Sequence, residues 1–296
     1  MIAGVETGGT KVVCAVAHAH APGEPLEVRR FPTTTPDETT GRINAYLAEA
    51  AAARPLDAIG IASFGPVNVE PDRDRYGWVT GTPKPGWADT DLLGRIPLAA
   101  RVPRIVLSDV GAAALGEHRH GAGGGARTTA YATVGTGVGV GLAVQGRLVH
   151  GNGFPELGHL LVRRHPGDAF AGICPFHGDC IEGLASGPAV RARWGADSSS
   201  LPDALRAQAF EILGSYIAQL VGVVRMSVGA DRMVIGGGVL KAPGLLDEVR
   251  RQVPLLDRGY TLGDADAATV AAFVVPPVLE DSGLVGALAS AADLLG

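Results

Sequence analysis

The chain has 296 residues, a formal net charge of −5 and a sequence pI near 5.9, which argues against non-specific nucleic-acid binding, since that needs a basic face. Apolar residues make up 46% of it, ample for a sizeable core, and 43 Gly with 20 Pro imply many turns and close backbone approaches over one large domain or two ordinary ones. Three cysteines are too few for a disulfide framework, no signal peptide precedes the first apolar stretch, and no uncharged apolar run reaches membrane-spanning length, so a soluble cytoplasmic protein without a membrane partner is expected.

In chain order, Ile2 to Val16 reads as a strand, a tight turn and a returning strand, with Val5-Glu6-Thr7-Gly8-Gly9-Thr10-Lys11 at the turn. Adjacent glycines followed by Thr and Lys can wrap a phosphate in backbone N–H groups, and a plain Gly-Gly hairpin is the alternative. The spacing is not that of a Walker A loop. A helix over Glu38 to Ala53 follows, with Ile43, Tyr46, Leu47 and Ala50 on one face. Ala58 to Phe64 reads as a buried strand leading into Gly65-Pro66-Val67, a loop at a strand's carboxyl end, where open α/β sheets bind ligands. The segment Tyr76 to Trp87, with Thr82-Pro83-Lys84-Pro85-Gly86-Trp87 at its end, is rich in Pro and Gly and carries two of the three tryptophans. Aromatic faces and hydroxyls on a rigid loop suit sugar recognition; a packed surface loop with Trp filling the core is the other reading. Arg104 to Ser108 is a strand ending on Asp109, with a helix from Val110 at once. A carboxylate there is either an N-cap or a general base. Gly121 to Ala126 reads as a flexible loop, a lid or a surface connection.

The chain then starts over. Thr129 to Val134 is a strand, Gly135 to Gly141 a Gly-rich turn containing Thr136 and Gly137, and Leu142 to Val144 a returning strand, so two structurally related halves are expected. No helix opens after this run, which excludes a Rossmann fingerprint. From Glu156 to Glu182, His159, Cys174, His177 and Cys180 can converge as a closed tetrahedral Cys₂His₂ zinc site, with Glu156 and Glu182 flanking it. Four protein ligands leave no open position, so structural zinc is read over a catalytic three-ligand ion; unrelated cysteines and histidines are the bland alternative. An amphipathic helix over Asp203 to Val228 leads into the strand Arg232 to Ile235 and then Gly236-Gly237-Gly238, where a flat nucleotide can approach closely or a tight turn is simply made. A strand near Phe273 to Pro276 and a helix from Gly283 to Leu295 complete the chain.

The ordered set Glu6-Thr7-Gly8-Gly9-Thr10-Lys11, Ser108-Asp109, Gly135-Thr136-Gly137, Glu156-Leu157-Gly158-His159, Cys174 to Glu182 and Ile235 to Gly238 resembles the ROK family of sugar kinases across nearly the whole chain. The Thr82 to Trp87 segment together with Cys174 to Cys180 is similar to the bacterial fructokinase branch, although most members carry a third cysteine where His177 stands. The resemblance implies an α/β, two-domain actin-like, hexokinase-like (ribonuclease H-like) fold with a cleft between domains: 1–112 with the helix 283–296 returning to it, and 113–282 carrying the zinc motif. It implies ATP-dependent phosphorylation of a hexose 6-hydroxyl, foremost that of fructose, with Asp109 as general base. Glu156, His159, Glu182, Thr82 and Gly65 would bind the sugar. Gly8, Gly9, Thr10, Lys11, Thr136 and Gly137 would hold the ATP phosphates with Mg²⁺, and Gly236, Gly237 and Gly238 the adenosine. Zinc would be structural and the assembly a homodimer. This sequence departs from the family pattern at Glu6, where Asp is usual, and at Ser108 and Gly111, where many members have Asn. A mannokinase or glucokinase of the same family and a non-catalytic sugar- or nucleotide-binding module are the alternatives. A repressor of the family would need a helix-turn-helix before the first strand, and Ile2 leaves no room for one.

Overall fold

The computed structural model describes residues 1–82, 84–151 and 153–296; Pro83, part of the expected sugar-recognition segment, lies outside the described residues. The chain divides into two compact units: Met1–Gly124 with Arg147–Phe154 and Leu279–Gly296, and Gly125–Gly146 with Pro155–Val278.

In the first unit, β1 (Ile2–Thr7), β2 (Lys11–Ala17), β3 (Glu27–Pro32), β4 (Ala58–Ser63) and β5 (Arg104–Ser108) form one sheet in the order β3-β2-β1-β4-β5. β1 is antiparallel to β2 and parallel to β4, so it is covered on both edges and both faces and reads as a near-continuous apolar run. On one face Val5, Val12, Cys14 and Ile61 meet Ile43, Tyr46 and Leu47 of α1 (Pro36–Ala53). On the other, Ile2, Val13 and Ala15 meet Leu284 and Leu288 of the terminal helix Ser282–Asp293. α2 (Asp109–His120) crosses that helix so closely that a Cβ on Gly286 would lie 1.8 Å from the Ala112 carbonyl oxygen. The close crossing fixes the helix whose first residue is Asp109. In the Gly121–Ala126 stretch, the Ala122 N–H donates at 2.7 Å to Glu117, which is fully buried. The other oxygen of Glu117 accepts from Leu279 N–H and the Ser282 hydroxyl, tying α2 to the start of the terminal helix.

The second unit repeats the motif. β6 (Thr128–Val134) is antiparallel to β7 (Val138–Val144) and parallel to β8 (Arg232–Gly236), which is parallel to the short β9 (Val274–Val275). The returning strand begins at Val138, four residues earlier than the glycines suggest, because Val138 and Val140 favour strand and the whole run pairs residue by residue with β6; the turn itself is Gly135–Gly137. Around this sheet lie α3 (Ile181–Ala185), α4 (Gly187–Trp194), α5 (Asp203–Val228), α6 (Leu245–Asp257) and α7 (Ala267–Phe273). At 26 residues α5 is long enough, about 39 Å, to cross a bilayer, yet 61% of its most apolar window is buried inside this unit.

Candidate functional site

The carboxyl end of the first sheet gathers the first group of expected residues. β1 ends on Glu6 and Thr7, β4 on Ser63, and β5 on Ser108 with Asp109 next. The Thr7 hydroxyl donates to the Ser63 hydroxyl at 3.0 Å, locking the strand ends together. Capping of α2 falls to Ser108, whose Oγ accepts the Gly111 N–H at 3.1 Å, and Asp109 is the first helical residue. The N-cap reading of Asp109 is therefore wrong; its Oδ1 accepts from the adjacent Val110 N–H at 2.8 Å.

Glu6 accepts the Leu284 N–H at 3.0 Å at the start of the terminal helix. Burial, then the nearby charges of Asp109 and Asp281, push its pKa up to about 7 against the opposing pull of Lys11 and the Leu284 N–H. A carboxyl raised from 4.5 to about 7 by folding contributes stability that is full below pH 4.5 and lost as pH rises through 7. Glu6→Gln should therefore leave the melting temperature at pH 5 nearly unchanged and raise it at pH 8.5. The gain is up to ~3 kcal/mol in ligand-free protein. Parallel melting curves across that range would refute the shift.

The first hairpin turn is closed by Gly8 N–H donating to the Lys11 carbonyl at 2.8 Å, leaving Gly9 and Thr10 exposed at its tip. Lys11, expected on phosphate, engages Asp281 at 2.7 Å, and Asp281 also bonds Arg30. Two residues missed in the sequence appear here. Asp281, just before the terminal helix, has a side chain only 5% exposed between these two cations. Lys84 reaches back so that Nζ donates to the Gly9 carbonyl at 2.5 Å, placing an ammonium on the phosphate-type turn. Its signal was a lone cation in a Pro/Gly-rich segment. The aromatic reading of that segment fails: Trp87 is fully buried, packs edge-on against Phe64 at 5.1 Å and donates its indole N–H to the Thr34 carbonyl. Trp78 lies under the Arg75 guanidinium. Thr82 is buried, its hydroxyl accepting the Lys84 N–H at 3.3 Å, and Gly65 lies against Phe154.

In the second unit the turn Gly135–Gly137 is closed by Gly135 N–H on the Gly137 carbonyl at 2.8 Å. Its Thr136 is exposed, and Gly187 N–H, opening α4, donates to the Gly135 carbonyl at 2.7 Å. Gly236–Gly238 lie beside it, with Gly237 at φ +97° packed on the Val134 backbone and Gly238 N next to Gly135. The two sets expected to hold phosphate and adenosine within this unit are thus neighbours. Glu156 keeps much of its surface open, yet partial desolvation raises its pKa, with His159 opposing the rise and Glu182 adding to it.

The quartet His159, Cys174, His177 and Cys180 converges, all four donor atoms lying within 4.8 Å of one another. Tetrahedral zinc with Zn–S of about 2.3 Å and Zn–N of about 2.0 Å sets S···N edges of about 3.6 Å. Cys174 Sγ lies 3.7 Å from His159 Nδ1 and 3.8 Å from His177 Nδ1, and Cys180 Sγ lies 3.5 Å from His159 Nδ1. The donor set fits the ion. Cys174 and Gly178 exchange backbone hydrogen bonds at 3.1 and 2.9 Å, with Gly178 at φ +65°, so the knuckle is a tight turn. Burial, the largest of several causes, pushes the Cys180 thiol up to about 11; binding a metal would require its proton to leave. The second nitrogen of His159, Nε2, lies 4.0 Å from Glu182 Oε1.

Two α/β units repeat one strand pattern, each with a Gly/Thr hairpin turn; one carries a strand-end acid and the other a Cys/His knuckle, and together these features define a sugar-kinase class of protein. The sequence profile of the ROK family matches residues 2–293. A fructokinase of Zymomonas mobilis is 39% identical over 290 residues, 97% of this chain and 95% of the relative. The crystal structure of a ROK hexokinase from Thermus thermophilus superposes with a TM-score of 0.76 at 25% identity, covering 98% of this chain and 97% of that one. A ROK family glucokinase from Streptomyces griseus, solved in complex with glucose and AMPPNP, gives 0.74 at 26% identity with 99% of each chain covered. The chain belongs to the ROK family, and its fold is the actin-like α/β fold of the sugar kinases.

Proposed function

We propose that this protein is an ATP-dependent fructokinase that transfers the γ-phosphoryl group to the 6-hydroxyl of fructose. The observation that carries the reading is Asp109, a carboxylate at a strand end whose helix is capped by Ser108, so that its side chain is not needed as the N-cap. The 39% identity with the Zymomonas mobilis fructokinase supports fructose as the sugar, and the likeness to the Streptomyces griseus glucokinase makes glucose the second candidate.

In this reading Asp109 accepts the proton of the 6-hydroxyl as the oxygen attacks phosphorus. Glu156, His159, Glu182, Thr82 and Gly65 orient the sugar by its hydroxyls, which converts an encounter into a positioned attack. The turns Gly8–Lys11 and Thr136–Gly137 hold phosphate oxygens with backbone N–H groups, and Gly236–Gly238 accept the adenosine. Mg²⁺ would be held near the end of β1, where Glu6 stands near Asp109 and Asp281, and when bound would neutralise phosphate charge. The quartet would hold zinc as a structural staple. We further propose a cytoplasmic homodimer, the three free thiols fitting a reducing compartment.

The test is a coupled ATP-to-ADP assay with Mg²⁺ across fructose, mannose, glucose, N-acetylmannosamine and N-acetylglucosamine. The highest kcat/KM is expected on fructose. A higher value on another of these sugars reassigns the substrate, and no turnover on any overturns the kinase reading.

A further inference from the structure

Glu182 belongs to two structures at once. Its Oε2 accepts the Val138 N–H at 2.9 Å, at the point where the turn Gly135–Gly137 becomes β7, and a Cβ on Gly137 would lie 2.7 Å from that oxygen. The turn backbone is therefore pressed onto the carboxylate. Its Oε1 faces His159 Nε2 at 4.0 Å, and the other nitrogen of that ring sits among the metal donors. On the far side of the same residue, Gly158 lies so close to the Val138 carbonyl that a Cβ there would come within 1.8 Å of its oxygen. Val138 is thus held at its N–H by Glu182 and at its C=O by Gly158. Both holders adjoin metal donors: Gly158 precedes His159, and Glu182 follows Cys180 by two residues in the first turn of α3.

From this we infer that the metal quartet sets the geometry of the turn Gly135–Gly137, with Glu182 as the positioning residue, so that metal loading tunes nucleotide affinity as well as loop stability. The inference rests on the reading of that turn as a phosphate cradle. A carboxylate holding a backbone N–H stiffens the amide that a phosphate oxygen needs, and losing such a charged hydrogen bond corresponds to about tenfold or more in an equilibrium.

The experiment is site-resolved hydrogen exchange on the full chain, before and after zinc chelation and with zinc restored, alongside ADP titration with Mg²⁺ re-added after chelation. Exchange at Val138 should accelerate by about tenfold or more on metal removal while amides in α5 hold, and ADP affinity should weaken in parallel. Glu182→Ala, which removes the acceptor, should with its metal still bound reproduce both changes and raise the KM for ATP together with that for the sugar. An unaltered Val138 amide or ADP affinity in the metal-free protein overturns the proposal. So does acceleration spread evenly over the second unit, or a Glu182→Ala variant that changes the sugar KM alone. The exchange measurement needs no substrate: a chain inactive on every sugar can still show the link, and an active kinase with an indifferent Val138 loses only the link.

Discussion

Asp109→Asn should fold with an unchanged melting temperature and lose about 10²–10⁴-fold or more in turnover on fructose. The expectation of intact folding comes from the local geometry. Ser108, not Asp109, supplies the cap, and an Asn carbonyl can still accept the Val110 N–H that Asp109 Oδ1 accepts at 2.8 Å. What the substitution removes is basicity at an atom that must take a proton while a hydroxyl attacks. By contrast Ser108→Ala should cost about 1 kcal/mol of stability, because it strips the cap. Steady-state kinetics with a melting curve on each variant separates the two. Near wild-type turnover in Asp109→Asn would reduce Asp109 to a structural residue and leave the chemistry without its base.

Cys180→Ser should lose bound zinc and melting temperature together, by several degrees or more. Between the short turn at Leu157–His159 and α3 at Ile181 the chain has no regular helix, and its backbone is tied by bridges at Leu161–Cys180 and Cys174–Gly178 and by bonds of Arg163 to Gln219 and Ile173 to Gly183. Loops of that length inside a compact unit are uncommon without a staple. Cys180 is fully buried and stands immediately before α3, so its loss frees both the loop and the start of that helix. Chelating zinc from the wild type should give the same fall, and the variant should show no further response to the chelator. Metal content by mass spectrometry and a thermal melt decide it. A zinc-free protein of unchanged stability would mean that the quartet is not a staple.

Much of this was legible in the sequence because it is written in local physics. The two hairpins announce themselves by apolar runs broken by Gly and Thr, and α5 by a long apolar period that ends at a left-handed Gly229. The quartet was readable from the chemistry of its donors alone. Other features needed the fold. The edge strand β3 is charged and almost wholly exposed, so no alternation marks it. α6 carries Pro254 in its interior, which reads as a break. Trp87 sits in a segment whose composition suggests an open loop, and only packing against Phe64 shows it to be core. Lys84 on Gly9, Glu182 on Val138 and Glu6 at Leu284 join residues 75, 44 and 278 positions apart, distances at which no sequence pattern speaks.

The terminal helix has a consequence in time as well as in space. Residues 282–293 close one face of the first sheet, and Leu284 and Leu288 cover Ile2, Val13 and Ala15, on strands made long before that helix. A ribosome adds residues at about 5–20 per second, so for many seconds the nascent first sheet must wait with an apolar face uncovered while the whole second unit is made and can fold ahead of it. The unit that carries Asp109 is thus completed after the second one, and a chain cut before residue 282 would hold a finished second unit and an unfinished first, a natural substrate for chaperones and proteases.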